Sequence, residues 1–345
     1  MHRRTLLSAI AATSLLAVTT ACSTDADSSA AAKVGTTTVT LALDWTPNTN
    51  HTGIYVAQAK GWFKDAGIDL RIVPYGSTSP ETLLANHKAD FGISYQEGVT
   101  TARAAGADIT SVYAVTQKTN VTIAVRAGRD DIASPKDLDG KTYAGFGAPY
   151  EKPLLQKVIQ NAGGKGDFKQ VTLNTSAYAA LYADKADFAM PMPTWEGLEA
   201  ELSGKPLKNF QLSDYGFPAI YSTLVASSDQ FLKRNPEVAK KFVAALDKGY
   251  RYAAANPDKA ADLLISENKS VLTNTELVKK SEALLAKQYY KAADGTIGTQ
   301  SAERWKAFAD FEYKAGLLVD ADGKKLTKTP DASAFFSNDY LPAAK

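Results

Sequence analysis

The feature that most limits the fold of this chain is an internal repeat near its middle. The stretch at 84–94 reads LANHKADFGIS and aligns without gaps with LYADKADFAMP at 181–191. Ser79 aligns with Ser176, so a predicted helix begins at an equivalent residue before each copy. In both copies the helix leads into a short apolar strand. The repeat therefore predicts two related lobes whose strands end beside a shared cleft.

Strand-like and helix-like segments alternate along the rest of the chain. Residues 37–43 are rich in β-branched side chains, and residues 54–64 carry apolar side chains at helical spacing. This alternation predicts an α/β fold with largely parallel sheets. We assign lobe 1 to 37–125 and lobe 2 to 126–220. Residues 221–345 are then expected to return to lobe 1 and to add C-terminal helices.

The N-terminal region predicts export and a membrane anchor. A basic start, a short apolar run and small residues are typical of a signal peptide, which we assign to 1–21. Cys22 is the only cysteine of the chain, and its position after Thr-Thr-Ala resembles a bacterial lipobox, in which the thiol is acylated. We expect residues 22–36 to form a flexible tether that a lipid on Cys22 anchors to the outer face of the cell membrane. The alternative is a soluble export signal with an unmodified Cys22; either secretory or twin-arginine export fits the sequence.

Composition argues against several classes of function. The chain has 39 Lys and Arg residues, of which Arg3 and Arg4 lie in the signal; the remaining 37 balance 37 Asp and Glu residues. A nearly neutral chain of this kind gives no sign of nucleic-acid binding. The three histidines and one cysteine form no metal-binding pattern, and no P-loop or nucleophile elbow is present. We therefore predict no metal, no cofactor and no catalytic group in what we expect to be a monomer.

The predicted strand ends combine aromatic side chains with carboxylates. Aromatic faces stack on flat rings, and a glutamate accepts charge-assisted hydrogen bonds from an exocyclic amine or a protonated ring nitrogen. The pattern predicts a clamp for a flat nitrogen heterocycle. The candidate ligand-binding residues are Trp45, Asn48, His51, Tyr95, Glu97, Tyr150, Glu151, Trp195, Glu196 and Tyr221.

Structural roles remain open for several of these residues. Tyr95 and Tyr150 can also pack at the edges of the lobes. Glu97 and Glu196 can also act as carboxylates that the helix dipole favours at helix starts. His51 can also cap or orient the helix that follows it.

Three segments carry a resemblance to a known family. DWTPNTNHTGIYVAQAKGWF at 44–63 closely resembles the first loop and helix of bacterial substrate-binding proteins for thiamine pyrimidine precursors. SPKDLDGKTYAGFGAPYEK at 134–152 and PTWEG at 193–197 are similar to second-lobe segments of that family. The resemblance covers about 38–255 and implies a two-lobed periplasmic binding protein fold of type II with a cleft between the lobes. It also implies that a formylated aminomethyl-pyrimidine is delivered to an ABC permease and its ATPase.

Other members of the wider superfamily provide alternatives. Riboflavin and other flat rings are bound by related proteins with a similar first loop. Binders of sulfonates or nitrate share the fold, but they need a basic cleft. The fungal pyrimidine synthase uses a pyridoxal-phosphate lysine and consumes its own histidine, and these two positions fall on Ser94 and Gly98 here. Its cysteine-rich iron motif is replaced by GFPAIYS at 216–222, so the sequence predicts a binding protein and no enzyme.

Overall fold

The computed structural model describes residues 35–148 and 150–343. The predicted signal peptide at 1–21, most of the predicted tether and Cys22 lie outside the described residues. Among the described helices, none has both the length and the apolar character needed to span a bilayer.

The described strands form two five-stranded sheets. The order in the first sheet is β2-β1-β3-β10-β4, and the order in the second is β7-β6-β8-β5-β9. The strands are β1 Thr37–Ala42, β2 Ile68–Val73, β3 Phe91–Ser94, β4 Ile109–Ala114, β5 Thr122–Arg126, β6 Thr142–Gly145, β7 Lys169–Thr172, β8 Phe188–Ala189, β9 Leu207–Gln211 and β10 Leu224–Ser228. This confirms the predicted α/β fold with two sheets.

Each sheet is mixed, whereas the sequence predicted largely parallel sheets. Strand β10 runs antiparallel to β3 and β4, and strand β5 runs antiparallel to β8 and β9. The reversed strands are the ones that enter each sheet directly from the other sheet. A chain that crosses between sheets comes back from the opposite direction, which local sequence patterns do not reveal.

Helices cover the sheets and make up most of the C-terminal third. The predicted helix over 54–64 is divided into α1 and α2 at Gly61, which has a positive φ of 74°. The helices are α1 Thr52–Ala59, α2 Trp62–Asp65, α3 Pro80–Ala85, α4 Gln96–Ala104, α5 Glu151–Asn161, α6 Ala177–Tyr182, α7 Leu198–Leu202, α8 Asp229–Arg234, α9 Pro236–Ala255, α10 Pro257–Glu267, α11 Thr275–Gln288 and α12 Ala302–Lys314.

The sequence repeat corresponds to a structural repeat. His87 and Asp184 occupy aligned positions, and both have a left-handed backbone with φ near 54° and 55°. The carboxylate of Asp90 accepts a hydrogen bond from the backbone of β1, and aligned Asp187 accepts one from the backbone of β6. Strands β3 and β8, which follow, lie at the centre of their sheets. The part of the molecule built on the first sheet, which we call the first half, is therefore built like the part on the second sheet, which we call the second half. This is what the repeat predicted.

The two helices begin at equivalent positions, as predicted, but only one of the two serines caps its helix. Ser79 caps α3, because its side chain accepts a hydrogen bond from the backbone of Thr82. Ser176 directly precedes α6, but its side chain makes no capping hydrogen bond.

Two crossings connect the sheets and run side by side. The first, at 115–121, leads from β4 to β5, and the second, at 212–223, leads from β9 to β10. They are hydrogen-bonded to each other, for example by the backbone of Asn120 donating to Ser222 Oγ at 2.6 Å. The first crossing comes several residues before the expected boundary between 125 and 126, because the apolar strand β5 already pairs in the second sheet.

Helix α12, within the region where C-terminal helices were predicted, packs against both sheets. Trp305 lies in the apolar core around β10, with Tyr221 and Leu224. Phe308, less than one turn further on, lies in the core of the second sheet with Phe217. The helix therefore lies along the two crossings and contacts both halves of the molecule.

Candidate ligand-binding cleft

A cavity of about 820 Å³ lies between the two sheets, and we call it the cleft. Its walls come from the segments that follow β1, β2 and β3 of the first sheet and β6 and β8 of the second. Ligands of open α/β sheets bind beyond the carboxyl ends of such strands. The volume is within the range of small-molecule sites. The cleft is therefore the candidate site.

Seven of the ten predicted ligand-binding residues line the cleft. The structure also places Asp44, Tyr75, Glu81, Phe146 and Tyr178 there, which the sequence reasoning did not select. Asp44 directly precedes Trp45 in the same loop, so its position after β1 was the available signal. The seven predicted residues that line the cleft are Trp45, Asn48, Tyr95, Glu97, Tyr150, Trp195 and Glu196.

His51 does not line the cleft, in contrast to its predicted ligand contact. Its side chain is fully buried, and Nε2 lies 2.9 Å from Oδ1 of Asp44. Its Nδ1 accepts a hydrogen bond from the backbone of Asn48 at 3.4 Å, while the Asn48 side chain accepts from Asn50 N at 2.8 Å. This exchange forms a capping box at the start of the turn before α1. His51 thus orients the loop and holds Asp44 at the cleft.

Glu151 and Tyr221 also lie behind the cleft. The carboxylate of Glu151 is buried and accepts hydrogen bonds from the backbone of Phe146 and Gly147, both at 3.0 Å. It therefore shapes the loop that carries Phe146 into the cleft. Tyr221 packs in the apolar core, and its hydroxyl accepts a hydrogen bond from the backbone of Ser301 at 2.8 Å. Neither side chain reaches the cavity.

Aromatic rings from both halves meet across the cleft. The ring of Trp45 is 5.3 Å from Tyr75 and 5.0 Å from Phe146, which it meets edge to face. Tyr95 of the first half lies 5.7 Å from Tyr150 of the second. These separations are those of favourable aromatic pairs. A flat ligand that enters the cleft would therefore meet rings on the sides formed by both halves.

The cleft is acidic. Asp44, Glu81, Glu97 and Glu196 line it, and the described lining residues include no lysine, arginine or histidine. Burial raises the pKa of Glu97 and of Glu196 to about 7 each. Burial also raises the pKa of Glu81 above its ordinary value. Carboxyl groups held out of water without a cation favour ligands that bring hydrogen-bond donors.

Glu97 and Glu196 differ in whether Oε2 accepts a hydrogen bond from the protein. Oε2 of Glu97 is buried and has no hydrogen-bond partner among the described residues. Oε2 of Glu196 accepts a hydrogen bond from the backbone of Met192 at 3.0 Å. A buried acceptor without a partner costs about 1–3 kcal/mol, so such groups call for an explanation. A ligand donor that pairs with Glu97 would supply one.

The positions matched to the synthase lysine and histidine are tightly packed. The hydroxyl of Ser94 donates to the carboxylate of Glu81. A Cβ atom placed on Gly98 would lie 2.8 Å from Glu81 Oε1, so even a methyl group would crowd this carboxylate. Within the described ranges, no group of three or more His, Cys, Asp or Glu side chains is arranged to hold a metal ion. These positions therefore contribute to the acidic wall.

The fold is that of periplasmic binding proteins. A solved structure of a Candida albicans gene product, described as having the generic periplasmic binding protein structural fold, superimposes with a TM-score of 0.63. The match covers 90% of this chain and 99% of that chain at 16% identity. The predicted two-lobed binding-protein fold is thus confirmed.

Curated relatives combine binding proteins and enzymes. The formylaminopyrimidine-binding protein of Halalkalibacterium halodurans is 29% identical over 78% of this chain and 82% of its own length. A Saccharomyces cerevisiae 4-amino-5-hydroxymethyl-2-methylpyrimidine phosphate synthase is 27% identical over 89% of both chains. The riboflavin-binding protein RibY of Chloroflexus aurantiacus is 24% identical over 88% of this chain and 86% of its own length.

A family model settles the relationship. The model described as NMT1/THI5 like matches residues 48–260, which is more than half of the 345 residues. The match includes the end of the first loop from Asn48 onward, α1 and the PTWEG segment, on which the resemblance rested. The chain therefore belongs to the NMT1/THI5-like family.

Proposed function

We propose that the protein binds a thiamine pyrimidine precursor in the cleft and delivers it to an ABC importer for thiamine biosynthesis or salvage. The ligand is N-formyl-4-amino-5-aminomethyl-2-methylpyrimidine or a close analogue. The observation that carries this proposal is the pair of buried carboxyl groups, Glu97 and Glu196, between aromatic rings from both halves. The name of the Halalkalibacterium relative points to the same ligand class.

The chemistry of an aminopyrimidine complements this arrangement. Its flat ring offers two faces for stacking on Trp45, Tyr95 or Tyr150. Its exocyclic amine and its formamide N–H are donors, and buried carboxylates are the acceptors that such donors require. An unpaired polar group in the complex would cost about 1–3 kcal/mol, so pairing decides between ligands of similar size.

The same features disfavour anionic ligands. A sulfonate or phosphate in the cleft would face four carboxyl groups, with no basic side chain among the described lining residues. Burial of an unpaired charge is strongly unfavourable. The proposed ligand is therefore neutral or cationic, which separates this protein from anion binders of the same fold.

A synthase activity is the alternative from another class, because the yeast relatives carry that name. A lysine would be needed to hold pyridoxal phosphate, and the described cleft residues include none. Ser94 and Gly98 occupy the two positions matched to the reactive residues and pack on Glu81. We propose binding without catalysis, cofactor or metal.

Riboflavin is the second candidate ligand. The Chloroflexus relative is named for it, and a cleft of about 820 Å³ has room for a fused ring system. The isoalloxazine ring lacks the exocyclic amine of an aminopyrimidine, so it leaves one carboxyl group without its partner. For this reason we rank the pyrimidine first.

Calorimetry on the purified protein without its signal peptide tests the ligand class. We expect formylaminopyrimidine to bind, and Trp45→Ala to weaken its binding by about 1–3 kcal/mol because a stacking surface is lost. Trp62→Ala serves as the matched control, since Trp62 lies outside the cleft and packs near Tyr252. Absence of heat with pyrimidines, together with tight riboflavin binding, would replace the pyrimidine with riboflavin.

We further propose that the protein works as a monomer on the outer face of the cell membrane, held by a lipid on Cys22. The sole cysteine and its lipobox-like setting support this. We expect Cys22→Ala to move the protein from the membrane fraction to the soluble fraction, whereas Ser23→Ala should leave it in place. Membrane association that persists in Cys22→Ala would contradict the lipid anchor. Fractionation with immunodetection measures the distribution.

A further inference from the structure

A second chamber of about 370 Å³ adjoins the cleft. Four residues line both spaces and form their boundary: Trp45, Tyr178, Trp195 and Glu196. The second chamber extends from this boundary between α6 and α7 of the second half, where Tyr182, Glu199 and Ser203 line it. The two cavities therefore meet at these four side chains.

The walls of the second chamber have a distinct composition. They contain four aromatic side chains, two glutamates and small polar residues, and none of the described lining residues is basic. Glu199 is half-buried and accepts a hydrogen bond from Tyr182 Oη at 3.2 Å. Glu196 is buried, and the charge of Glu199 contributes to its raised pKa. Glu196 and Glu199 therefore place two carboxyl groups on the walls of the same chamber.

Aromatic rings with carboxylates are the groups that bind organic cations. A cation is attracted to the face of tryptophan or tyrosine, and this attraction grows when the site is shielded from water. Two carboxylates that line one chamber add a Coulombic attraction for a cation that enters beside them. A flat cationic ring can stack on the aromatic side chains and pair with the carboxylates, whereas an inorganic cation offers no face for stacking.

Both halves of the molecule build this chamber. Trp45 and Thr46 come from the first loop, while the remaining lining residues come from the second half. Ala179 and Ser203 lie at its solvent-exposed side, so the chamber has an opening of its own.

We propose that the second chamber binds a cationic heteroaromatic substituent of a pyrimidine ligand whose own ring lies in the cleft. This inference rests on the proposed function and widens its ligand class from single pyrimidine rings to pyrimidines joined to a cationic ring. In this arrangement Trp45 and Trp195 contact both the pyrimidine and the cationic ring, whereas Glu199 contacts the cationic ring alone.

Thiamine is a suitable probe, since a methylene group joins its aminopyrimidine to a cationic thiazolium ring. Calorimetry at about pH 7.5 compares thiamine with formylaminopyrimidine on the protein without its signal peptide. We expect wild type to bind both. Glu199→Gln should weaken thiamine binding about five- to tenfold more than formylaminopyrimidine binding, the size of a lost partly exposed ionic contact. Glu201→Gln, on the exposed side of α7, is the matched control and should change neither affinity.

A second variant separates charge from space. Ala179→Trp should fill the chamber and reduce thiamine binding at least as much as Glu199→Gln. Ala179 is exposed, so the larger side chain does not enter the core, and circular dichroism checks that the variant is folded. Thiamine binding unchanged in both variants, or losses equal for the two ligands, would overturn the second chamber. Formylaminopyrimidine binding without thiamine binding would overturn it as well and leave the proposed function intact. Binding of neither ligand would instead count against the proposed function.

Discussion

Replacing Glu97 with glutamine is expected to weaken aminopyrimidine binding about 10- to 100-fold while stabilising the ligand-free protein above pH 7. The loss of affinity follows because a charge-assisted hydrogen bond contributes about 1.5–3 kcal/mol and tenfold in affinity corresponds to about 1.4 kcal/mol. The gain in stability follows because Oε2 of Glu97 is buried without a partner among the described residues. Affinity and stability therefore move in opposite directions.

The sign of the pH dependence follows from the pKa. Burial raises the pKa of Glu97 to about 7, whereas an exposed glutamate titrates at about 4.3. The folded protein thus binds the proton more tightly than the unfolded chain. The stability that Glu97 contributes is fully present below the unfolded pKa and is lost as the pH rises through about 7. Glutamine does not ionise, so the variant keeps its stability at pH values above 7.

Urea unfolding at about pH 5 and pH 8, with calorimetry at the higher pH, measures both effects. Glu303→Gln is the matched control, because Glu303 is exposed in the first turn of α12 and should leave both quantities unchanged. A Glu97→Gln protein that loses stability at pH 8 together with affinity would indicate a structural role for Glu97. Unchanged affinity would remove Glu97 from the proposed ligand contacts.

The parts of the fold that were predictable depend on local or repeated signals. The sequence Lys-Ala-Asp-Phe occurs at 88–91 and again at 185–188, and this repeat predicted two related halves. In the structure, Asp90 and Asp187 of the two copies make the same hydrogen bond to a neighbouring strand. The loop with Trp45 and Asn48 was predictable as part of the site because it directly follows β1. Both arguments need only a short stretch of sequence and the rule that ligands bind at strand ends.

The parts that were not predictable depend on contacts between distant segments. Glu81 looks like a first-turn carboxylate of α3, and only the approach of Ser94 and Gly98 places it in the cleft wall. His51 carries chemistry suited to a ligand, yet its bonds to Asp44 and Asn48 hold it in the core. No periodicity distinguishes a side chain that faces a ligand from one that supports it. Knowledge of the tertiary contacts is required.

The crossing of α1 and α9 links the stability of the first half to the site. Helix α1 begins directly after the first loop, and it meets α9 at Gly53 and Gly249. A Cβ atom on Gly249 would overlap the carbonyl oxygen of Gly53 and lie 2.7 Å from its carbonyl carbon. Next to this contact, Tyr250 Oη donates to the backbone oxygen of Asn50 at 2.7 Å. The close approach of the two backbones thus also fixes the loop that lines the cleft.

Gly249→Ala is therefore expected to destabilise the protein by about 1–3 kcal/mol or more, the cost typical of overpacking a core. Alanine favours a helix over glycine by about 1 kcal/mol, so propensity alone predicts the opposite sign. The overlap dominates because its partner is a backbone carbonyl within α1, which cannot move without the whole helix. When α1 shifts, the hydrogen bond from Tyr250 to Asn50 lengthens, and formylaminopyrimidine affinity should fall together with stability.

Urea unfolding and calorimetry on Gly249→Ala measure the two consequences, with Lys248→Ala as control on the exposed face of the same helix. The control gains helix propensity without entering the crossing, so we expect stability and affinity near those of wild type. Wild-type stability in Gly249→Ala would show that α1 and α9 separate readily and that the crossing does not fix the loop. Lower stability with unchanged affinity would show that the loop keeps its shape independently. Loss of both, in contrast to Glu97→Gln, is the pattern expected of a residue that supports the site without contacting the ligand.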